Sequence, residues 1–226
     1  MGELFANYDI LGAFWTNIQL TVFSAIGSLA LGTILAIMRV SPAASMRTAA
    51  MIYVDVVRNT PLTLILLGAS LGLWGQLGVV LAEPGSPGFI ASNGFRLAVL
   101  GLSVYHAAFV CEALRSGVNT VPLGQAEAAR SIGLTFSQSM GSVVLPQAFR
   151  GAIAPLGNTL IALTKNTTVA QVAGVVQASS VMYTMFEFRP DVMVLIFLII
   201  ALGFVAIVLP LGVLTTWASR RWRVAR

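Results

Sequence analysis

Few residues of this 226-residue chain have side chains suited to catalysis, and their spacing does not assemble a catalytic or metal centre. Cys111 is the single cysteine and His106 the single histidine, so a disulfide, a cysteine metal site or an HExxH-like pair is not supported. The one lysine, Lys165, follows Leu-Thr and precedes Asn, whereas a nucleotide-binding P-loop places lysine after a glycine loop and before Ser or Thr. We therefore expect this chain to bind neither a metal nor ATP itself.

Charged residues within apolar stretches are the remaining candidates, because ionisable groups in a membrane are costly and usually functional. Glu112 and Arg115 are three residues apart on one helical face and are expected to pair, either as a structural bridge or as an element that transmits motion to the next loop. Lys165 precedes Asn166 and Thr167, where it either attracts an anion or snorkels to the membrane surface.

The composition identifies the solvent in which these groups act. Hydrophobic residues make up 57% of the chain and charged residues 9%, whereas a soluble domain carries about 25% charge. Four of the thirteen cationic residues lie in the last seven positions: Arg220, Arg221, Arg223 and Arg226. A basic end after an apolar run is typical of a cytoplasmic membrane anchor. We therefore predict a protein of the lipid bilayer and no binding to nucleic acid, despite the net charge of +5.

The uncharged stretches predict an all-α, polytopic membrane helix bundle formed by a single domain, residues 1–226. Five transmembrane helices are predicted, at about residues 12–38, 59–82, 95–115, 148–165 and 192–218, of which the fourth is short for a bilayer. With the N-terminus outside, only three cations fall on the outer side: Arg96, Lys165 and Arg189. The positive-inside rule therefore favours an N-out, C-in orientation.

Small residues recur at every fourth position of the first span: Ser24, Ser28, Gly32 and Ala36. Such a stripe lets another helix approach closely in a membrane, and Gly68 with Gly72 repeats the pattern in the second span. We interpret both as packing surfaces within the protein.

The segment between the third and fourth spans, about residues 117–147, is more polar than its flanks and is predicted to be cytoplasmic. Helix-forming residues that include Glu127 precede Gly133, helix-compatible residues follow it, and Pro146 comes last. The pattern predicts a short helix with Glu127 at its start, a left-handed turn at Gly133, a second short helix, and a proline that opens the next span.

This segment resembles a known family. Glu127-Ala128-Ala129, Gly133 and Val143-x-Leu145-Pro146 are similar to the EAA motif of ABC importer permeases, with Val143 where the family usually has isoleucine. The resemblance implies a type I importer fold in which this loop docks into a groove of a cytoplasmic ATPase dimer, the partner that binds ATP and magnesium. It assigns these residues to the coupling loop: Gly124, Gln125, Glu127, Ala128, Ala129, Gly133, Leu145 and Pro146.

Other segments are similar to permeases of the polar amino acid subfamily, and Arg58–Leu64 and Asn158–Thr168 resemble actinobacterial glutamate permeases. The resemblance implies a multi-pass subunit of the bacterial cytoplasmic membrane that works with an extracytoplasmic amino-acid-binding protein and a second permease, identical or homologous. Because an anionic solute needs donors or cations along its route, we predict a path along these residues: Arg58, Asn59, Thr60, Asn158, Thr159, Lys165, Asn166 and Thr167.

Two other classes of protein compete with an ATP-coupled permease. A secondary transporter or channel needs no ATPase, and the EAA-like loop is the feature against it. An intramembrane hydrolase is poorly supported by one histidine and one cysteine.

Overall fold

The structure is a computed structural model that describes residues 2–221, apart from the side chains of residues 2, 3 and 5. The described residues form helices joined by turns and by one longer irregular segment, residues 77–88, with no strand among them, so the predicted all-α fold class is confirmed. The α-helices are α1 (Gly2–Asn7), α2 (Ile10–Val40), α3 (Ala44–Arg58), α4 (Leu62–Leu67), α5 (Phe89–Val118), α6 (Leu123–Ser131), α7 (Phe136–Ser139), α8 (Leu145–Asn166), α9 (Ala178–Phe188) and α10 (Met193–Arg221). The segments Gly68–Gln76 and Met140–Val144 are π-helical, and Thr167–Ala173 and Pro190–Val192 are 3₁₀-helical. Arg223 and Arg226 of the predicted basic end lie outside the described residues.

Three helices of the described chain are long and apolar enough to cross a membrane: α2, α5 and the run Pro190–Arg221. Two bent pairs also qualify when each is taken as one span. Ala44–Arg58 and Leu62–Gln76 meet at 104°, and Phe136–Ala173 meets Ala178–Phe188 at 60°. The count therefore lies between three and five, and five spans with an N-out orientation stay a prediction.

The helix in the region of the second predicted span is shorter than the uncharged stretch of residues 59–82. It begins at Leu62, after Pro61, because a proline disfavours helical backbone at the residue before it. It ends at Gln76, and Gly78 then takes a φ of 66°, a conformation that stops a right-handed helix.

The prediction that Pro146 opens a separate helix is wrong. The π-helical segment Met140–Val144 joins α7 directly to α8, and Pro146 is the second residue of α8. Proline lacks the N–H that would bond four residues back. The adjacent Gln147 side-chain amide donates to the Val143 carbonyl at 2.9 Å in the same turn.

The chain forms two compact units. The first contains the residues up to Gly27 with Thr60–Ser103 and Ala162–Pro210. Its main apolar cluster includes six buried residues: Leu4, Ile10, Ala178, Met185, Ile196 and Ile200. Phe14 packs edge-on against Phe204 beside this cluster, with 5.3 Å between ring centroids.

The second unit contains Ser28–Asn59, Val104–Ile161 and the residues from Leu211 onward. A Cβ added to Gly32 would lie 2.6 Å from Val110 Cβ, so α2 and α5 approach closely there. All four residues of the predicted stripe on α2 are buried, which confirms it as a packing surface. Gly68 and Gly72, in contrast, have no atom within 4 Å of an added Cβ, so the predicted close packing at these two glycines is not seen within the described chain.

Candidate functional site

The EAA-like segment folds as the helix α6, followed by a turn and α7. Pro122 precedes α6, and its carbonyl accepts the Gln125 N–H at 3.0 Å. Because the helix begins at Leu123, Glu127 is its fifth residue and lies beyond the first turn. The prediction that Glu127 stabilises the start of the helix through the helix dipole is therefore wrong.

Gly133 ends α6 in the left-handed conformation that the sequence predicts, with a φ of 88°. The Gly133 N–H donates to the Arg130 carbonyl at 3.0 Å, and the Leu134 N–H reaches back to the Ala129 carbonyl at 3.2 Å. These two bonds define a Schellman C-cap, in which glycine is favoured because it has no Cβ to clash.

The second half of the loop is held by a capping box at α7. The Thr135 hydroxyl accepts the Gln138 N–H at 3.3 Å, while the Gln138 side chain accepts the Thr135 N–H at 2.9 Å. The pair satisfies two backbone donors at the start of the helix. The turn between α6 and α7 is therefore fixed at both ends by local hydrogen bonds.

This loop presents apolar side chains on its surface. Leu123 is 82% exposed and Ile132 is 78% exposed, and Ala128 between them is also exposed, whereas Ala129 is buried. Exposed apolar patches rimmed by polar residues are typical of protein interaction surfaces. Of the other predicted loop residues, Gly124, Gln125 and Glu127 are exposed on α6, and Leu145 and Pro146 lie in the first turn of α8.

Glu112 lies at the centre of a charge cluster in the second unit. Arg115 Nε is 3.9 Å from Glu112 Oε2, which confirms the predicted pair. Arg39 Nη1 lies 2.5 Å from Oε1, and Arg58 Nη1 lies 4.0 Å from Oε2. Sequence reasoning missed both of these partners, because they come from α2 and α3, whereas Glu112 is on α5.

The residues of the predicted solute path differ in exposure. Asn158 and Lys165, seven positions apart on α8, are both exposed, whereas Thr159 and Asn166 are partly buried. Thr167 is fully buried, and its hydroxyl donates to the Thr164 carbonyl at 2.7 Å, so it does not face open space. Arg58 and Asn59 are exposed at the end of α3, and Thr60 follows them partly buried.

A buried hydrogen-bond network in the first unit holds the backbone near Thr167. The Asn17 side-chain amide donates to the Thr167 hydroxyl at 2.8 Å and to Gln177 Oε1 at 3.3 Å, and its oxygen accepts the Ala178 N–H at 2.9 Å. Gln177 in turn donates to the Thr168 carbonyl at 2.9 Å. Satisfied buried networks favour a single backbone arrangement. Asn17 and Gln177 carry no sequence signal beyond being polar residues next to apolar stretches.

A cavity of about 840 Å³ lies beside α2 in the first unit. Phe23, Ile26, Phe95 and Val99 make its lining largely apolar, and Arg96 is its charged residue. The lining that the structure describes includes none of the predicted path residues.

Comparisons with known proteins agree with the resemblance of the loop. Residues 28–224 match the family described as binding-protein-dependent transport system inner membrane component. The glutamate transport system permease protein GluC of Corynebacterium efficiens is 56% identical over 204 residues, covering 90% of both chains. The protein of the same name from Corynebacterium glutamicum is 53% identical with the same coverage.

Two solved structures share the fold. The crystal structure of an amino acid ABC transporter with histidines gives a TM-score of 0.77 at 27% identity, covering 94% of this chain and 93% of that chain. The inward-facing MetNI methionine ABC transporter gives a TM-score of 0.75 at 18% identity, covering 95% and 96% of the two chains, and shows the fold alone. This chain therefore belongs to the family of inner membrane components of binding-protein-dependent transport systems, as a permease subunit in the cytoplasmic membrane.

Proposed function

We propose that this chain is the permease through which glutamate enters the cell, driven by ATP hydrolysis on a partner subunit. The observation that carries the proposal is the similarity to the two Corynebacterium glutamate permeases, which extends over 90% of the chain. A protein that is 56% and 53% identical to these relatives over 204 aligned residues is expected to keep their solute. Alternating access of a site in the membrane then moves the solute inward.

We assign ATPase coupling to the loop from Gly124 to Pro146, and its surface supports this role. Leu123 and Ile132 are both largely exposed on this loop, and a groove on a partner would cover them. The partner is a dimeric cytoplasmic ATPase that holds ATP and magnesium. Ala128, which is exposed on α6, adds little bulk to the helix surface that would enter a groove, whereas Ala129 packs inward.

The remaining assembly follows from the same proposal. Five spans with the N-terminus outside place the coupling loop and the C-terminus on the cytoplasmic side, in agreement with the distribution of cations. A second permease, identical or homologous, completes the transmembrane pathway, and an extracytoplasmic binding protein delivers the amino acid.

The solute path is proposed along the exposed polar residues of α8 and the end of α3. Lys165 and Asn158 supply a cation and an amide on one helix, and both are exposed. Arg58 and Asn59 supply donors at the other predicted end of the path. Thr167 supports the path through its buried hydrogen bonds, since its hydroxyl is not exposed.

A competition experiment in cells tests the solute. Cells that lack this chain should lose high-affinity uptake of radiolabelled glutamate and regain it from a plasmid copy. Unlabelled glutamate should compete in the restored strain, whereas arginine and methionine should not. Uptake that persists undiminished in the deletion strain, or that arginine blocks as well as glutamate does, would refute glutamate as the solute.

Cysteine labelling tests the orientation. Ser137 is exposed on α7, so a cysteine there should react with a membrane-impermeant maleimide only after the cells are opened. Cys111 is buried and serves as the internal background. Labelling of residue 137 from outside intact cells would reverse the proposed topology.

A further inference from the structure

Three guanidinium groups surround one carboxylate in the second unit. The side chains of Arg39, Arg58 and Arg115 all lie within 4.0 Å of Glu112. Three positive charges and one negative charge leave a local surplus of two positive charges. The cluster therefore attracts an anion, because a negative charge placed beside it would meet two positive charges that lack a counter-charge within the cluster.

The three arginines are not equivalent. Arg39 is 13% exposed and donates a close charge-assisted hydrogen bond to Glu112 Oε1. Arg58 and Arg115 are 45% and 42% exposed, and they lie 4.0 and 3.9 Å from the other carboxylate oxygen, Oε2. These two separations are too long for hydrogen bonds. Arg39 therefore holds Glu112, while Arg58 and Arg115 keep donors available for another acceptor.

Arg58 is already held in place for such an acceptor. Its guanidinium carbon lies 5.7 Å from the centroid of the Phe109 ring, within the range of a cation–π contact. This contact restricts the long side chain without using its N–H donors. A held guanidinium loses less conformational entropy when a carboxylate binds.

We propose that Arg58, Arg115 and Glu112 form an inner binding site for glutamate on its way through the permease. The inference rests on the proposed function and names residues that would hold the solute. Glutamate carries two carboxylates and one ammonium group, and the cluster offers two guanidiniums and one carboxylate. A guanidinium group can donate two parallel hydrogen bonds to a carboxylate, and Glu112 Oε2 can accept a hydrogen bond from the ammonium group. Arg39 is a positioning residue, since it fixes Glu112 through the other oxygen.

The carboxylate of Glu112 is what favours an amino acid over another anion. A phosphate headgroup of a lipid would also attract the two half-exposed arginines. It would meet repulsion from Glu112, however, and would offer no donor to Glu112 Oε2, the oxygen that Arg39 does not bind. An amino acid uses all three groups, so glutamate is the occupant that the charges favour.

The test measures equilibrium binding to the purified permease–ATPase complex in detergent, without the binding protein. The probes are radiolabelled glutamate, glutamine, and glutarate, which has both carboxylates and no ammonium group. Arg115→Gln should weaken glutamate and glutarate by roughly tenfold or more, the loss typical of one charged hydrogen bond, and glutamine by less. Arg150→Gln is the matched control, because Arg150 is exposed in the same unit and has no ion pair among the described residues.

A double variant tests the ammonium contact. Arg39→Gln with Glu112→Gln removes the close pair without changing the net charge of the cluster. It should abolish the preference for glutamate over glutarate while leaving the affinity for glutarate nearly unchanged. A double variant that keeps the wild-type preference would overturn the role of Glu112 and with it the proposed site.

Other results would also overturn the inference. Equal losses of affinity for all three probes in Arg115→Gln, or no loss, would show that Arg115 does not recognise the side-chain carboxylate of glutamate. Arg115→Lys keeps the charge and should recover most of the affinity, and a lysine variant as weak as Arg115→Gln would make Arg115 structural. Displacement by phosphatidylglycerol without discrimination among the probes would assign the arginines to a lipid headgroup. A wild-type complex that neither binds nor transports glutamate would instead refute the proposed function.

Discussion

Replacing Gly133 tests the coupling loop with a change confined to one backbone conformation. The residue has a φ of 88°, and no atom lies within 4 Å of the position that a Cβ would occupy. A substitution there creates no clash with a neighbour, so its effect comes from the backbone alone. An L-residue with a side chain pays roughly 1–2 kcal/mol in the left-handed region. That strain lowers the equilibrium constant for the native turn by roughly 5- to 30-fold.

Four variants separate this strain from other effects. Gly133→Ala and Gly133→Val should both reduce glutamate uptake and the ATPase stimulation caused by loaded binding protein, the valine variant more strongly. Gly133→Asn should lose less, because asparagine tolerates the left-handed region better than alanine does. Gly141→Ala is the matched control: it lies in the same loop, also has open space around its Cβ, and takes no left-handed φ.

The assay reconstitutes each variant with ATPase and binding protein in vesicles and measures uptake and hydrolysis together. The amount of permease in the membrane should stay unchanged, since insertion does not depend on this turn. The reasoning would be refuted if Gly133→Ala matched Gly141→Ala in both uptake and ATPase stimulation.

Three further predictions address packing, the buried network and the solute. Gly32→Ala should destabilise the purified complex by about 1–3 kcal/mol in a thermal unfolding assay, because the new Cβ would lie 2.6 Å from Val110 Cβ. Gly68→Ala is the control, since no atom lies within 4 Å of its added Cβ, and it should be neutral or slightly stabilising in the same assay. Equal effects of the two variants would contradict the close packing of α2 against α5. Asn17→Leu should lower the melting temperature, since each buried polar group left without a partner costs about 1–3 kcal/mol, and an unchanged melting temperature would show that the network is dispensable. Lys165→Ala should weaken uptake of glutamate more than uptake of glutamine in vesicles with excess binding protein. An equal loss for both solutes would make Lys165 structural. No loss would show that the partner permease, and not Lys165, supplies the group that binds the anion.

The coupling loop could be predicted well because its signals are local. A glycine after a run of helix formers predicts a left-handed C-cap wherever the chain folds, and Gly133 takes it. The position of Glu127 within its helix was harder to predict from the sequence. The helix α6 begins at Leu123, directly after Pro122 and four residues before Glu127, so Glu127 lies beyond the first turn. The prediction that Pro146 opens a helix failed for a related reason. The π-helical segment Met140–Val144 joins α7 to α8, so Pro146 lies within a continuous helical run.

The charge cluster and the buried network could not be predicted, because their partners are distant in the sequence. Arg39 and Glu112 are 73 positions apart, and Asn17 and Gln177 are 160 apart. Hydrophobic periodicity reports which face of a helix is apolar, but it does not report which helix lies opposite. Glu112 illustrates this limit: its neighbour on the same helix was predicted, whereas its shortest ion pair was not.

Uphill accumulation of glutamate in reconstituted vesicles tests the central claim most directly. Vesicles would contain this permease with its ATPase, with binding protein outside and ATP and magnesium inside. The account predicts that internal glutamate rises above the external concentration only when hydrolysable ATP, binding protein and this chain are all present. Equilibration to the external concentration without ATP or ATPase would contradict the account and identify a channel or secondary transporter instead.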